Sequence, residues 1–215
     1  MSRQDARWNL NIHYHRLFID AVPVGAKRAL DIGCGNGLLS FELAGIGLDV
    51  IGIDPDAPSI RRAGAAPEAC DRTTFITADL FTHPFEDASF DVVASNAMLH
   101  HVDAARGLRH MRALVRPGGV LVIVGFANPS GPVDRALIAA GFIATRFRKA
   151  VGRYWEHDAP VRWPPPLTID EMRDLAAHEL PGARFERRMA HRYSIVWTAP
   201  PAPGPPDDLV RSAGT

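Results

Sequence analysis

The chain is short of cysteine, of net charge and of long apolar runs, and each shortage removes a class of protein. Only Cys34 and Cys70 occur in 215 residues. Two such thiols build neither a disulfide framework nor a metal cluster, so a reducing compartment and no metal are expected. The 24 Lys and Arg balance the 24 Asp and Glu, for a formal net charge of +0. A protein that works on polyanions usually carries a basic excess, so no nucleic-acid partner is expected. No stretch reaches the ~18 consecutive apolar residues of a transmembrane helix. Residues 1–8 are polar, include Asp5 and lack the apolar centre of a signal peptide. A cytoplasmic address follows as the simplest expectation. What is present is apolar material: 47% of the chain is hydrophobic, enough for a sizeable core.

That material falls into short runs at 28–32, 50–54, 74–78, 90–95 and 120–125. Near-continuous apolar runs of strand length indicate a parallel sheet covered on both faces. Between them, 38–46, 58–66 and 104–115 read as crossover helices, and the alternation predicts a doubly wound α/β sheet. Arg116-Pro117-Gly118-Gly119 reads as a helix stop and turn. Beyond 126 the rhythm changes. A helix is expected over 133–155, its apolar spacing running through Leu137, Ile143, Phe147 and Val151, with Arg146, Arg148, Lys149 and Arg153 on the solvent side. Thr168-Ile169-Asp170-Glu171 has the capping-box pattern and should start a helix ending near Leu180. Two strands at 184–188 and 193–199 lie close enough to form a hairpin, and a Pro-rich tail follows.

The densest chemical signal is Ala29-Leu30-Asp31-Ile32-Gly33-Cys34-Gly35-Asn36-Gly37, an apolar strand entering a glycine-rich turn before a helix. Glycine lets a ligand approach the backbone closely, and the site belongs at the carboxyl ends of the strands. The dinucleotide pattern requires a third glycine where Leu38 stands. Asp31 would also repel a pyrophosphate, whereas it favours a cationic ligand group such as the amino group of a methionine moiety carrying a sulfonium. Asp54 ends the second strand, 21 residues beyond Gly33, with Pro55 fixing the chain after it. A carboxylate there can accept both hydroxyls of a ribose. Asp79 ends the third strand, before Leu80, placed to accept from an adenine amino group.

These residues resemble the class I S-adenosylmethionine-dependent methyltransferases, in particular their small-molecule branch, over roughly residues 8–199. The glycine turn matches that family's first motif, Asp54 its ribose-binding acid and Ala78-Asp79-Leu80 its adenine-contacting motif. Phe90-Asp91-Val92-Val93-Ala94-Ser95-Asn96 with the residues to Val102 resembles the fourth-strand motif, and 114–121 the entry to the fifth. The final hairpin resembles the reversed last strand of the fold. The resemblance implies a Rossmann-like, mostly parallel seven-stranded sheet with the last strand antiparallel. It implies S-adenosylmethionine as cofactor, lined by Asp31, Gly33, Cys34, Gly35, Gly37, Asp54, Pro55, Asp79, Leu80 and Asn96.

The acceptor side is less legible. Methyl transfer is a direct displacement with a good leaving group, so alignment matters most and a base is needed only where the acceptor must lose a proton. His100 and His101 follow the fourth strand and are the candidates for that base. In similar enzymes the segment before the first strand closes over the cofactor, which makes His13 and Tyr14 candidates for the acceptor side. Tyr154 and Trp155 are candidates in the lid. The expected organisation is one domain over 1–199, with a cap segment at 1–27, a lid and acceptor insertion at 127–167, and a disordered tail at 200–215. Ser95-Asn96-Ala97-Met98 stands where relatives that methylate exocyclic amines carry Asn-Pro-Pro-Tyr. The expected partner is therefore a small-molecule methyl acceptor. The competing readings are a nicotinamide-dependent oxidoreductase, which Leu38 and Asp31 oppose, and a non-catalytic S-adenosylmethionine-binding module.

Overall fold

The computed structural model describes residues 9–150 and 164–202. Seven strands form one sheet in the order β3-β2-β1-β4-β5-β7-β6. They are β1 (Arg28–Ile32), β2 (Asp49–Asp54), β3 (Thr73–Thr77), β4 (Phe90–Asn96), β5 (Val115–Phe126), β6 (Arg184–Arg188) and β7 (Arg192–Thr198). The first five are parallel, and β7 inserts antiparallel between β5 and β6. The strand order reverses between β1 and β4, and ligands of open α/β sheets bind at that point.

Strand periodicity divides the core between two layers. On one face Leu30, Ile32, Val93, Leu121 and Ile123 meet Leu108, Met111 and Leu114 of α4 (Ala104–Leu114) and Met172 and Ala176 of α6 (Ile169–Glu179). On the other, Ala29, Val50, Val92 and Val122 meet Leu39 and Leu43 of α2 (Leu38–Gly45) and Phe18 of α1 (His15–Asp20). The helices start where side chains satisfy free amides. Asp103 accepts the Arg106 N–H at 2.7 Å, and Asp56 accepts the Ser59 N–H at 2.9 Å to open α3 (Ala57–Gly64). The expected capping box of α6 is formed by Thr168 and Glu171.

Three local expectations change. The third strand ends at Thr77, so Asp79 lies two residues past it in a loop, where its carboxylate accepts the Phe81 N–H at 2.8 Å. Arg116 to Gly119 fall within the span of β5 rather than ahead of it, because the end of β7 claims them: Ala199 N–H donates to Gly119 O at 2.9 Å and Gly118 N–H to Ala199 O at 3.1 Å. The ladder with β4 is interrupted there, jumping from Phe90↔Val115 to Val92↔Val120.

The third change concerns α5 (Pro132–Ala150). Ile143 and Phe147, expected on its inner side, are 67% and 65% exposed. The residues that face the domain are Asp134 and Gly141. Asp134 holds Arg187 of β6 at 3.0 Å, and a side chain at Gly141 would sit 2.6 Å from Ala190 Cβ in the β6–β7 turn. A half-buried ion pair and a close backbone approach set the rotation of this helix, against its hydrophobic stripe. The continuation expected to 155, with Tyr154 and Trp155, lies outside the described residues, as does the tail from 203.

Candidate active site

The glycine turn leaves β1 through three left-handed residues, Gly33 (φ 73°), Gly35 (φ 52°) and Gly37 (φ 79°). At Gly33 glycine is also required by space, since a Cβ would lie 2.6 Å from Met98 Cβ and Cγ. Met98 follows β4, so this contact brings the β1 turn against the tip of β4 across the switch point. Gly37 serves as the N-cap of α2.

Asp31 faces the α2 layer and is 1% exposed. The Ser40 hydroxyl donates to its carboxylate at 2.6 Å, tying the strand to the helix after the turn. Burial raises the Asp31 pKa to about 6, opposed in part by the Ser40 bond. Cys34 turns its sulfur inward: a Cβ on Gly52 would approach Sγ to 3.0 Å. Burial, with the charges of Asp31 and Asp54 beside it, pushes that thiol far up, so it is an inert neutral group.

Asp54 at the tip of β2 accepts the Gly35 N–H at 3.0 Å and the Asp56 N–H at 2.8 Å, one on each carboxylate oxygen. Each oxygen keeps a lone pair for a further donor. Pro55 continues from it toward α3. Asp79 stands exposed in its loop and Leu80 is 4% exposed, packed into the core.

At the tip of β4, the Asn96 Nδ2 donates to the Asn11 carbonyl at 3.3 Å. Its Oδ1 is buried with no hydrogen-bond partner among the described residues. Ala97, next in sequence, holds a left-handed φ of 62° and donates its N–H to Val124 O at 2.7 Å. Strain at a non-glycine residue beside an unsatisfied amide is the pattern of a functional position. His100 and His101 follow on the 3-10 turn Leu99–His101, with ring centroids 4.0 Å apart. His100 is buried and meets Phe126 of β5 edge-on at 4.9 Å.

The segment before β1 reaches this cluster through Asn11. Its side-chain oxygen accepts from Arg192 Nη2 at 2.7 Å, and the Arg192 guanidinium lies 4.2 Å over Phe126. Asn11 thereby ties β4 to the start of β7. His13 is at the rim, its pKa lowered by burial and then by Arg148, Arg192 and Arg188. Tyr14 instead turns into the core with Phe18 and Leu43, and burial raises its pKa.

Comparison with known proteins agrees with this geometry. The model of the methyltransferase domain family matches residues 30–123. A methyltransferase of Mycobacterium tuberculosis, uncharacterized, is 40% identical over 202 residues, covering 91% of this chain and 99% of its own. The chain belongs to the class I S-adenosylmethionine-dependent methyltransferase family. A demethylmenaquinone methyltransferase of Roseiflexus castenholzii is 36% identical over 118 residues, 54% of this chain and 49% of its own. The solved SAM-dependent methyltransferase of Methanosarcina mazei superposes with a TM-score of 0.60 at 20% identity, covering 85% of this chain and 97% of that one.

Within this methyltransferase, the structure gathers Gly33, Gly35, Asp54 and Asn96 at the switch point and His100 and His101 beside it. Asn11, Phe126 and Arg192 join them although no motif marks them, and Met98 joins them from the stretch after the fourth strand. Arg192 could have been found only by knowing that β7 runs antiparallel to β5, which pairs Phe126 with Arg192. Met98 carried a signal in the sequence, as the residue just beyond the fourth-strand motif.

Proposed function

We propose that the chain transfers a methyl group from S-adenosylmethionine to a small organic acceptor. The observation that carries this reading is the meeting of the β1 turn, Asp54 and the buried, partnerless Oδ1 of Asn96 at one switch point. The residues fit the cofactor. The cradle at Gly33 admits no side chain, Asp54 keeps lone pairs for ribose hydroxyls, and Asn96 offers an acceptor in a dry position. Asp31 favours the amino-acid end by charge, and Asp79 with Leu80 bounds the adenine end.

When bound, S-adenosylmethionine supplies a methyl carbon attached to a sulfonium. The chain has to align the acceptor behind that carbon and exclude water. Asn11, held by Asn96 and Arg192, closes the segment before β1 over the strand tips. Phe126, His100 and His101 form an aromatic wall beside them, suited to an acceptor with an unsaturated ring. Similarity to a demethylmenaquinone methyltransferase supports that acceptor class. His100 accepts the acceptor's proton where one must leave. The segment 127–167 acts as the lid, and a cytoplasmic address suits two free thiols.

The test is product formation. Purified chain is incubated with S-adenosylmethionine and a panel of phenols, quinols and small amines, and S-adenosylhomocysteine release is followed. Release with a ring acceptor supports the reading. Cofactor binding without release across the panel, or release only with nucleic acid or protein acceptors, contradicts it.

A further inference from the structure

The helix α5 carries an exposed apolar face. Phe142 is 63% exposed, Ile143 67% and Phe147 65%, with Val133 at 62% near the helix start. Val133, Ala136, Ala140, Ile143 and Phe147 recur at three- and four-residue spacing, so one apolar stripe runs along the exposed side of the helix. Scattered exposed hydrophobics need no explanation, but a contiguous patch does. One border is basic: Arg135, Arg146 and Lys149 are exposed along the same edge, and the Arg146 guanidinium lies 5.9 Å from the Phe142 ring. The one acid of the helix, Asp134, is buried and paired with Arg187.

We propose that this face of α5 docks on an anionic lipid surface. An apolar stripe with a basic edge and no exposed acid on the helix is the composition of an interfacial helix, whose apolar side enters the headgroup boundary while cations meet anionic lipid. A second copy of the chain fits less well. Two-fold pairing would bring the exposed Arg135 and Arg146 of each copy together, with no exposed carboxylate on either helix to offset them. No described helix is long and apolar enough to cross a membrane, so the contact is peripheral.

The placement has a consequence that rests on the proposed function. Ala190 N–H donates to Leu137 O of α5 at 3.2 Å, and Arg192 follows two residues later at the acceptor wall. Docking by α5 therefore sets the acceptor side close to the bilayer, where an amphiphilic acceptor is dissolved.

Co-sedimentation with vesicles tests the docking, using the full chain with phosphatidylcholine alone and with phosphatidylcholine mixed with phosphatidylglycerol. The chain should bind the mixed vesicles, and more weakly at about 1 M salt, where charges are screened beyond ~3 Å. Ile143→Ser with Phe147→Ser should weaken vesicle binding about tenfold, and Arg135→Glu with Arg146→Glu should do the same, with thermal unfolding unchanged. Titration with S-adenosylhomocysteine, without vesicles, should be unaltered in both variants, so that a failure of docking is distinguishable from a failure of the methyltransferase reading. No binding to mixed vesicles overturns the proposal. So does a dimer that the serine variant dissolves, or a serine variant that loses thermal stability because the face is covered by the chain itself.

Discussion

The carboxylate of Asp54 holds the N–H of Gly35 at 3.0 Å, joining the tip of β2 to the turn that leaves β1. Its other oxygen holds the Asp56 N–H at 2.8 Å. One side chain therefore fixes the turn, and in the proposed reading its remaining lone pairs take the ribose hydroxyls. Asp54→Ala should weaken binding of S-adenosylhomocysteine by about 1.5–3 kcal/mol, the loss of charge-assisted hydrogen bonds. Calorimetric titration measures it, and an unchanged affinity would remove Asp54 from the ribose site.

Gly33 has two reasons to be glycine, its φ of 73° and the 2.6 Å approach of Met98 to any added Cβ. Gly33→Ala should cost about 2–3 kcal/mol in urea unfolding. Met98→Gly in the same chain should return part of that loss by removing both clashing atoms, Cβ and Cγ, while the left-handed strain remains. Additive losses in the double variant would show that the two tips do not touch.

Asp31 is buried with its pKa raised to about 6, chiefly by burial. The folded protein thus holds this proton more tightly than the unfolded chain. Stability from this group is fully present below the ordinary carboxylate range and falls as pH rises from about 4 through about 6. Asp31→Asn removes the buried charge and keeps an acceptor for Ser40. The variant should be more stable than the parent at pH 8 by about 1–3 kcal/mol, and equally stable near pH 4. It should also bind the cofactor less tightly, since a negative charge beneath the glycine turn is gone. Thermal unfolding at the two pH values checks the first statement and calorimetry the second. A parent as stable at pH 8 as its variant would contradict it.

His100 is buried against Phe126, within reach of the β4 tip. With an acceptor that loses a proton, His100→Asn should lower kcat by about 10²–10⁴ while leaving cofactor affinity intact. Equal turnover would assign His100 to packing.

Much of this was legible from residue pattern. The parallel strands β1, β2, β4 and β5 stand out because they are largely apolar on both faces, and β1 and β6 have the expected limits. The turn was legible because glycine, aspartate and a following helix are local. Three things were not. The rotation of α5 depends on Asp134 reaching Arg187 and on Gly141 meeting Ala190, contacts that no periodicity encodes. Asp79 lies past its strand because its side chain caps a loop turn at Phe81. The acceptor wall depends on Arg192 crossing Phe126, a contact 66 residues apart in sequence that exists only once β7 is inserted beside β5.

The most direct measurement is calorimetric titration of the purified chain with S-adenosylmethionine, S-adenosylhomocysteine and the nicotinamide dinucleotides. Micromolar binding of the first two, with none of the dinucleotides, is the predicted result. Binding of a dinucleotide alone, or of none of these ligands, would contradict a working methyl-donor site at the tips of β1, β2 and β4.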